Sequence, residues 1–323
     1  MRRLLFVAVG LIGLGISGAA AQTFPTRTIT MVVPFAAGGP TDTIGRLIAE
    51  AMAKNLGQQV VIENVVGAGG TRGAGQAARA NPDGYALFLH HIGMATSATL
   101  YRKLPFNAIE DFEPIGLVTD APMTLIARPD FPVPDVSGLL EVIRKNGDKI
   151  TYGNAGMGSA SHLCGMMLMS AVGVAMTAIP YNGTGPAMTD LIGSQIDLMC
   201  DQITNTASQI KAKRVKAYGV TTKARVKSLP DMPTLDEAGL KGFEVAVWHG
   251  LYAPKGTPTE IVARLSAALQ AALKDAKVVA RFADLGTEPV PERDATPEAL
   301  RQKLMAETAK WRPVIQAVGV YAD

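Results

Sequence analysis

The chain has 323 residues, 48% of them hydrophobic, with 31 Lys and Arg against 28 Asp and Glu for a formal net charge of +3. That length suits two lobes better than one core. The even charge excludes a broad basic field for nucleic acid or anionic lipid, and two cysteines exclude a disulfide-stapled scaffold.

The first residues set the compartment. Arg2 and Arg3 precede an apolar, Gly-rich run from Leu4 to Ser17, and Ala19-Ala20-Ala21 fits a cleavage site before Gln22. This is the three-part pattern of a secretory signal peptide over residues 1–21. Its apolar run is shorter than the ~20 residues of a membrane span. No Cys adjoins the cleavage point, which argues against a lipid anchor. No later stretch is long and apolar enough to span, so the mature chain is expected to be soluble.

Strands and helices then alternate. Thr28 to Val33 is a buried strand ended by Pro34, and Gly38 to Asp42 is a loop. Ile44, Leu47, Ile48, Ala51 and Met52 repeat at helical spacing up to Gly57. Gln59 to Glu63 is a second strand, Gly67 to Gly75 a glycine-rich loop, and Gln76 to Ala80 helical. The turn Asn81-Pro82-Asp83-Gly84 leads into a third strand over Ala86 to Leu89. This rhythm predicts an α/β lobe with a largely parallel sheet.

The plan restarts after the middle. Lys149 to Tyr152, Ala178 to Tyr181 and Ile196 to Cys200 are strands. Leu163 to Met169 and Met188 to Ile192 carry helical positions, and the small-residue loops Asn154 to Ser159 and Gly183 to Pro186 lie before them. Ile115 to Ala127 and Phe243 to Tyr252 are extended and suit crossings between lobes. Thr259 to Lys274 and Pro297 to Val318 are long helices. Lys211, Lys213, Arg214 and Lys216 form a basic cluster that suits a solvated helix end. Cys164 and Cys200 have apolar neighbours, which predicts two buried thiols; spacing alone cannot bring them to bonding distance.

Four loops follow strands and precede helices: 35–43, 67–75, 153–161 and 182–186. Glycine lets backbone approach a ligand, and a helix start offers free N–H groups and partial positive charge. Loops of this kind seat anions without a charged side chain. Thr41, Ser159 and Thr184 are equally suited to be plain helix caps. Arg72 and Ser161 stand where a dinucleotide fingerprint needs Gly or Ala, and no phosphate-loop G-K-[ST] occurs. Nor is there a G-x-S-x-G elbow or a helical H-E-x-x-H among His90, His91, His162 and His249. Catalysis, a cofactor and a metal are therefore not expected. His90 and His91 close a strand, where alternation predicts rings on opposite faces.

Several segments together resemble the substrate-binding receptors of tripartite tricarboxylate transporters, the Bug proteins. They are T-I-T-M-V-V-P-F-A-A-G-G-P-T-D-T (28–43), the loop 67–75, N-P-D-G-Y (81–85) and L-Y-R-K-L-P-F (100–106). Residues 152–163, P-Y-N-G-T-G-P (180–186), I-D-L-M-C-D (196–201) and Y-A-P-K-G-T-P (252–258) continue the match over nearly all of the mature chain. The resemblance implies a two-lobed periplasmic binding protein of the type II Venus-flytrap class, with the ligand cleft between lobes. Lobe 1 is then 22–122 plus 247–323, and lobe 2 is 123–246. It implies a small mono- or dicarboxylate held by Phe35, Ala37, Gly38, Thr41, Asp42, Gly69, Gly70 and Thr71 from lobe 1. Lobe 2 adds Asn154, Gly158, Ser159, Ser161, Asn182, Gly183, Thr184 and Asp201.

Arg72 replaces an apolar residue common in the family; it suits a second carboxylate or a plain surface position. Asp201 suits an amine or a loop hydrogen bond, and Gln202 and Asn205 neutral hydrogen bonds. Trp248 suits a wall for an aromatic ring, beside His90 or His91, or hinge packing. The implied partner is a two-component membrane permease, and the chain is expected to act as a periplasmic monomer. An exported α/β enzyme acting on a carboxylate, or a receptor feeding a membrane kinase, stays open as an alternative.

Overall fold

The computed structural model describes residues 24–319, 321 and 322. The signal peptide read at 1–21 lies outside them. β1 (Ile29–Val33) buries four of its five residues and pairs in parallel with β2 (Val60–Asn64) and β3 (Ala86–His91). Parallel strands covered on both faces read as continuous apolar runs, as β1 does. Helix α1 (Pro40–Leu56) follows β1, with Pro at its first position and a left-handed Gly57 closing it. Ile44, Ile48 and Met52 bury its inner face.

Helix α2 spans Thr71–Ala78, so the segment expected as loop to Gly75 is already helical. Only 67–70 form the turn, with positive φ at Gly67, Ala68, Gly69 and Gly70 in succession. Gly73 is there for packing: a Cβ at that point would lie 2.9 Å from both the Pro34 side chain and the Val65 carbonyl. Helix α3 (Gly93–Leu100) follows β3. Its sequence, GMATSATL, is small and weakly patterned, so periodicity does not announce it.

The second lobe repeats this plan. β5 (Thr151–Asn154) pairs in parallel with β6 (Thr177–Pro180) and β7 (Leu198–Gln202). Each strand again leads to a helix: α5 (Ala160–Val172), α6 (Thr184–Ile192) and α7 (Ile203–Lys211). An earlier helix, α4 (Val136–Asn146), is capped by Asp135, whose carboxylate accepts from the Gly138 N–H.

Two long strands join the halves. β4 (Phe112–Ala127) and β9 (Ala246–Pro254) run antiparallel from the pair Phe112–Pro254 to the pair Pro122–Ala246. From Met123 onward β4 pairs instead with β7, and from Thr124 also with β8 (Lys216–Val220). The sheet order is β2-β1-β3-β9-β4-β7-β5-β6, with β8 set against β4. The expected parallel character thus holds within each half, while the crossings are antiparallel.

Helices α8 (Thr259–Lys274), α9 (Ala276–Asp284) and α10 (Pro297–Val318) return to the first half. Leu300, Leu304, Trp311 and Ile315 of α10 share one apolar cluster with Trp248, Phe88, Phe112 and Tyr252. Each such fully buried side chain contributes about 1.5–3 kcal/mol.

The cysteines correct the expectation of two thiols. Cys164 of α5 and Cys200 of β7 are bonded, with Cα atoms 6.0 Å apart. Apolar neighbours report burial and say nothing of what lies across the layer; the packing of α5 on β7 decides it.

Candidate functional site

Helix starts from both halves converge where the loops meet. The walls of the narrow cavity at that point are Phe35, Pro40, Thr41 and His91 from one half. Ala155, Ser159, Ala160, Ser161, Thr184, Asp201 and Gln202 come from the other. Pro40 and Thr41 open α1, Ser159 to Ser161 open α5, Thr184 opens α6, and Gln202 precedes α7. Ser159 is the N-cap of α5 and receives the His162 N–H at 3.2 Å. Thr41 and Thr184, also read as caps, instead lie inside the first turns of α1 and α6. The caps there, Gly39 and Gly183, make no side-chain hydrogen bond, so those helix starts keep free donors. No Lys or Arg among the described residues lines the cavity. Helix ends supply positive potential there.

The polar groups are neutral or nearly so. His91 Nδ1 accepts from the Gly93 N–H at 3.0 Å, which leaves Nε2 as the donor of a neutral ring. Burial, with the neighbouring His90 and His249, holds His91 well below the usual histidine range. Burial also pushes His90 and His249 down to about 3. His249 Nε2 lies 3.3 Å from Thr41 Oγ1 and supports that hydroxyl from behind. Asp201 is the one carboxylate among the described residues in the walls. Burial pushes it up to about 6, partly offset by Asn205 Nδ2 at 2.6 Å and the Gln202 N–H at 2.8 Å. Asn154 Nδ2 and Gln202 Oε1 are buried without a hydrogen-bond partner among the described residues.

A second pocket of about 300 Å3 opens beside the first, sharing Phe35 and Ala155. Gly69, Gly70, Tyr101, Gly156, Met157 and Asn182 help to line it. Here the two halves touch: the Ala36 N–H donates to the Asn182 carbonyl at 3.0 Å.

Of the residues singled out from sequence, Phe35, Thr41, His91, Ser159, Ser161, Thr184 and Asp201 meet at the inner cavity, and Gly69, Gly70 and Asn182 at the outer pocket. Others lie elsewhere. Asp42 accepts from Gly38 N–H, Arg46 and Asn64. Burial raises its carboxyl, but those hydrogen bonds together hold it below its usual range. It braces the loop and does not line the cavity. Ala37 and Gly38 are exposed at the mouth. Thr71 donates to the Ala68 carbonyl and Asn154 accepts from Gly156 N–H, each fixing its own loop. The Gly158 carbonyl and Gly183 pack against the opposite half, at Thr96 and Ala36.

Three expectations are corrected. Arg72 is exposed on α2, because the helix begins one residue earlier and turns position 72 outward. Trp248 is 2% exposed inside the apolar cluster and is no cavity wall. The rings of His90 and His91 are 4.7 Å apart, not on opposite faces, because the strand ends at His91 and alternation ends with it. Pro40, Ala155 and Ala160 carry no polar side chain, and Tyr101 follows a helix, outside the four strand-to-helix loops, so none of them was singled out.

The family model for the tripartite tricarboxylate transporter family receptor matches residues 44–320. The chain belongs to that receptor family. A UPF0065 protein from the TAR-I ttuE-ttuC' intergenic region of Agrobacterium vitis is 53% identical over 300 residues, 93% of this chain and 87% of that one. The structure of the periplasmic binding protein BugD shares 52% identity, with a TM-score of 0.91 over 93% of this receptor and all of BugD. MatC from Rhodopseudomonas palustris, solved with bound malate, shares 43% identity, with a TM-score of 0.88 over 90% of this receptor and all of MatC. The receptor is therefore a two-lobed periplasmic binding protein by fold and family.

Proposed function

We propose that this receptor captures a small mono- or dicarboxylate between its lobes in the periplasm and delivers it to a two-component membrane permease, without chemical turnover. One observation carries the reading: helix starts with free donors and neutral hydroxyl and imidazole groups enclose a cavity that no Lys or Arg among the described residues lines. Such a site solvates an anion by oriented dipoles. The malate in MatC supports a carboxylate ligand. Thr41, His91, Ser159, Ser161 and Thr184 are the proposed donors, with Phe35 as the apolar wall.

The lobes are taken as 22–122 with 247–323, and 123–246. The switch of β4 from β9 to β7 between Pro122 and Met123 supports that division. Export through the signal peptide at 1–21 accords with the family. No helix among the described residues is long and apolar enough to cross a membrane.

The test is a thermal-shift screen of the mature chain against small carboxylates, followed by calorimetry on the best acid. Binding to the folded state alone adds about 2.7 kcal/mol at 100 times Kd. Thr41→Ala with Ser159→Ala should weaken that acid at least about tenfold, since hydrogen bonds to a charge are each worth about 1.5–3 kcal/mol. Unchanged affinity in a variant with a cooperative melt removes the site assignment. A screen in which no carboxylate raises the melting temperature removes the function.

A further inference from the structure

Tyr101 stands outside the inner cavity, at the seam where the two halves touch. It follows α3 and is held from behind: the Ala322 N–H donates to the Leu100 carbonyl at 2.8 Å, and a bridge pairs Tyr101 with Ala322. Its hydroxyl reaches two carbonyls, Ala68 at 2.7 Å in its own half and Met157 at 2.8 Å across the cleft. A phenol has one hydrogen to donate, so the two oxygens share it. The backbones around it are nearly touching. A Cβ on Gly69 would lie 1.7 Å from the Met157 carbonyl oxygen, and one on Gly158 would lie 3.3 Å from the Tyr101 ring.

We propose that Tyr101 is a closure latch, a positioning residue that holds the lobes together without touching the ligand. When the lobes part, Met157 leaves with the second half. The hydroxyl keeps Ala68 as an acceptor, so opening breaks a bond without burying an unpaired donor. The latch is weak by construction and releases readily. It acts on the dissociation step of the capture reading, on which it rests. Gly69 is the matching requirement on the other side of the seam, because no side chain fits there once Met157 arrives.

Tyr101→Phe removes the hydroxyl and keeps the ring. A hydrogen bond of this kind is worth about two- to tenfold in an equilibrium. We expect malate, used as the probe, to dissociate two- to tenfold faster by stopped flow, with an unchanged association rate. The ranking of malate against succinate and adipate should stay the same. An unchanged dissociation rate overturns the latch, and an altered ranking shows that Tyr101 contacts ligand instead.

A second measurement does not need a ligand. Spin labels at Arg72→Cys and Ala178→Cys, one exposed site in each half, report the interlobe distance. The short-distance population should fall two- to tenfold in Tyr101→Phe at equal thermal stability. Identical distributions, or a Tyr101-containing protein that never populates the short distance, overturn the latch. If malate and the other acids all fail to bind while the distances shift as expected, the carboxylate reading falls and the latch stands.

Discussion

At the scale of single residues, the site is governed by one acid among neutral partners. Asp201, pushed up to about 6 by burial, is mostly charged at pH 8 and mostly neutral below pH 6. A carboxylate ligand nearby is repelled by the charged form and accepts a hydrogen bond from the neutral one. Affinity for an acid without an amine should therefore rise as pH falls from 8 to 6. Asp201→Asn should abolish that slope and bind at pH 8 at least as tightly. Calorimetry at both pH values tests this, and a slope that survives in the variant assigns it to another group.

The histidines affect folding with the opposite sign. An unfolded imidazole protonates near 6.5, whereas His90 and His249 resist protonation down to about 3 and His162 to about 4. Between those values the unfolded chain binds more protons, so stability is lost as pH falls through that window. Asp201 opposes the trend, since its folded value lies above the usual 3.8 and favours the fold as pH falls through 6. His91 is held down likewise, so four histidines outweigh Asp201 and predict net destabilisation, read as a lower urea midpoint at pH 5 than at pH 7. Thr41, Ser159 and Thr184 were legible because a hydroxyl between a small-residue loop and a helix has few places to point. Arg72 stayed open between ligand and surface because its direction depends on where α2 begins, a single residue that glycines conceal.

Among the elements, glycine records contacts that periodicity does not. Gly73 sits in α2 because Pro34 and the Val65 carbonyl leave no room for a methyl group. Gly73→Ala should cost about 1–3 kcal/mol through overpacking, despite alanine's better helix propensity. A denaturant midpoint that rises would refute that account. The disulfide ties α5, whose cap faces the cavity, to β7, whose next residue after Cys200 is Asp201. Cys164→Ser with Cys200→Ser should lower stability by about 2–4 kcal/mol, again measured by unfolding. Helices α1, α8 and α10 were legible from charge and apolar spacing. Helix α3 was not, since its small residues bury on nearly every side.

For the whole molecule, alternation of strand and helix foretold two similar α/β halves, and the structure bears this out in the matching orders β2-β1-β3 and β6-β5-β7. The antiparallel crossings were foretold as extended segments but not as partners of each other. Pairing between residues about 130 positions apart leaves no local mark. That pairing also governs how the receptor can be taken apart. Proteases cut where a chain can leave its neighbours and lie extended in the enzyme. The two passages between lobes are instead held in a ladder, with both strands almost wholly buried. A native receptor should therefore yield nicks at surface turns and no pair of separable lobes. On the proposed lobe division the second lobe would be an insertion sewn into the first, and closure would flex this pair of strands like a leaf spring.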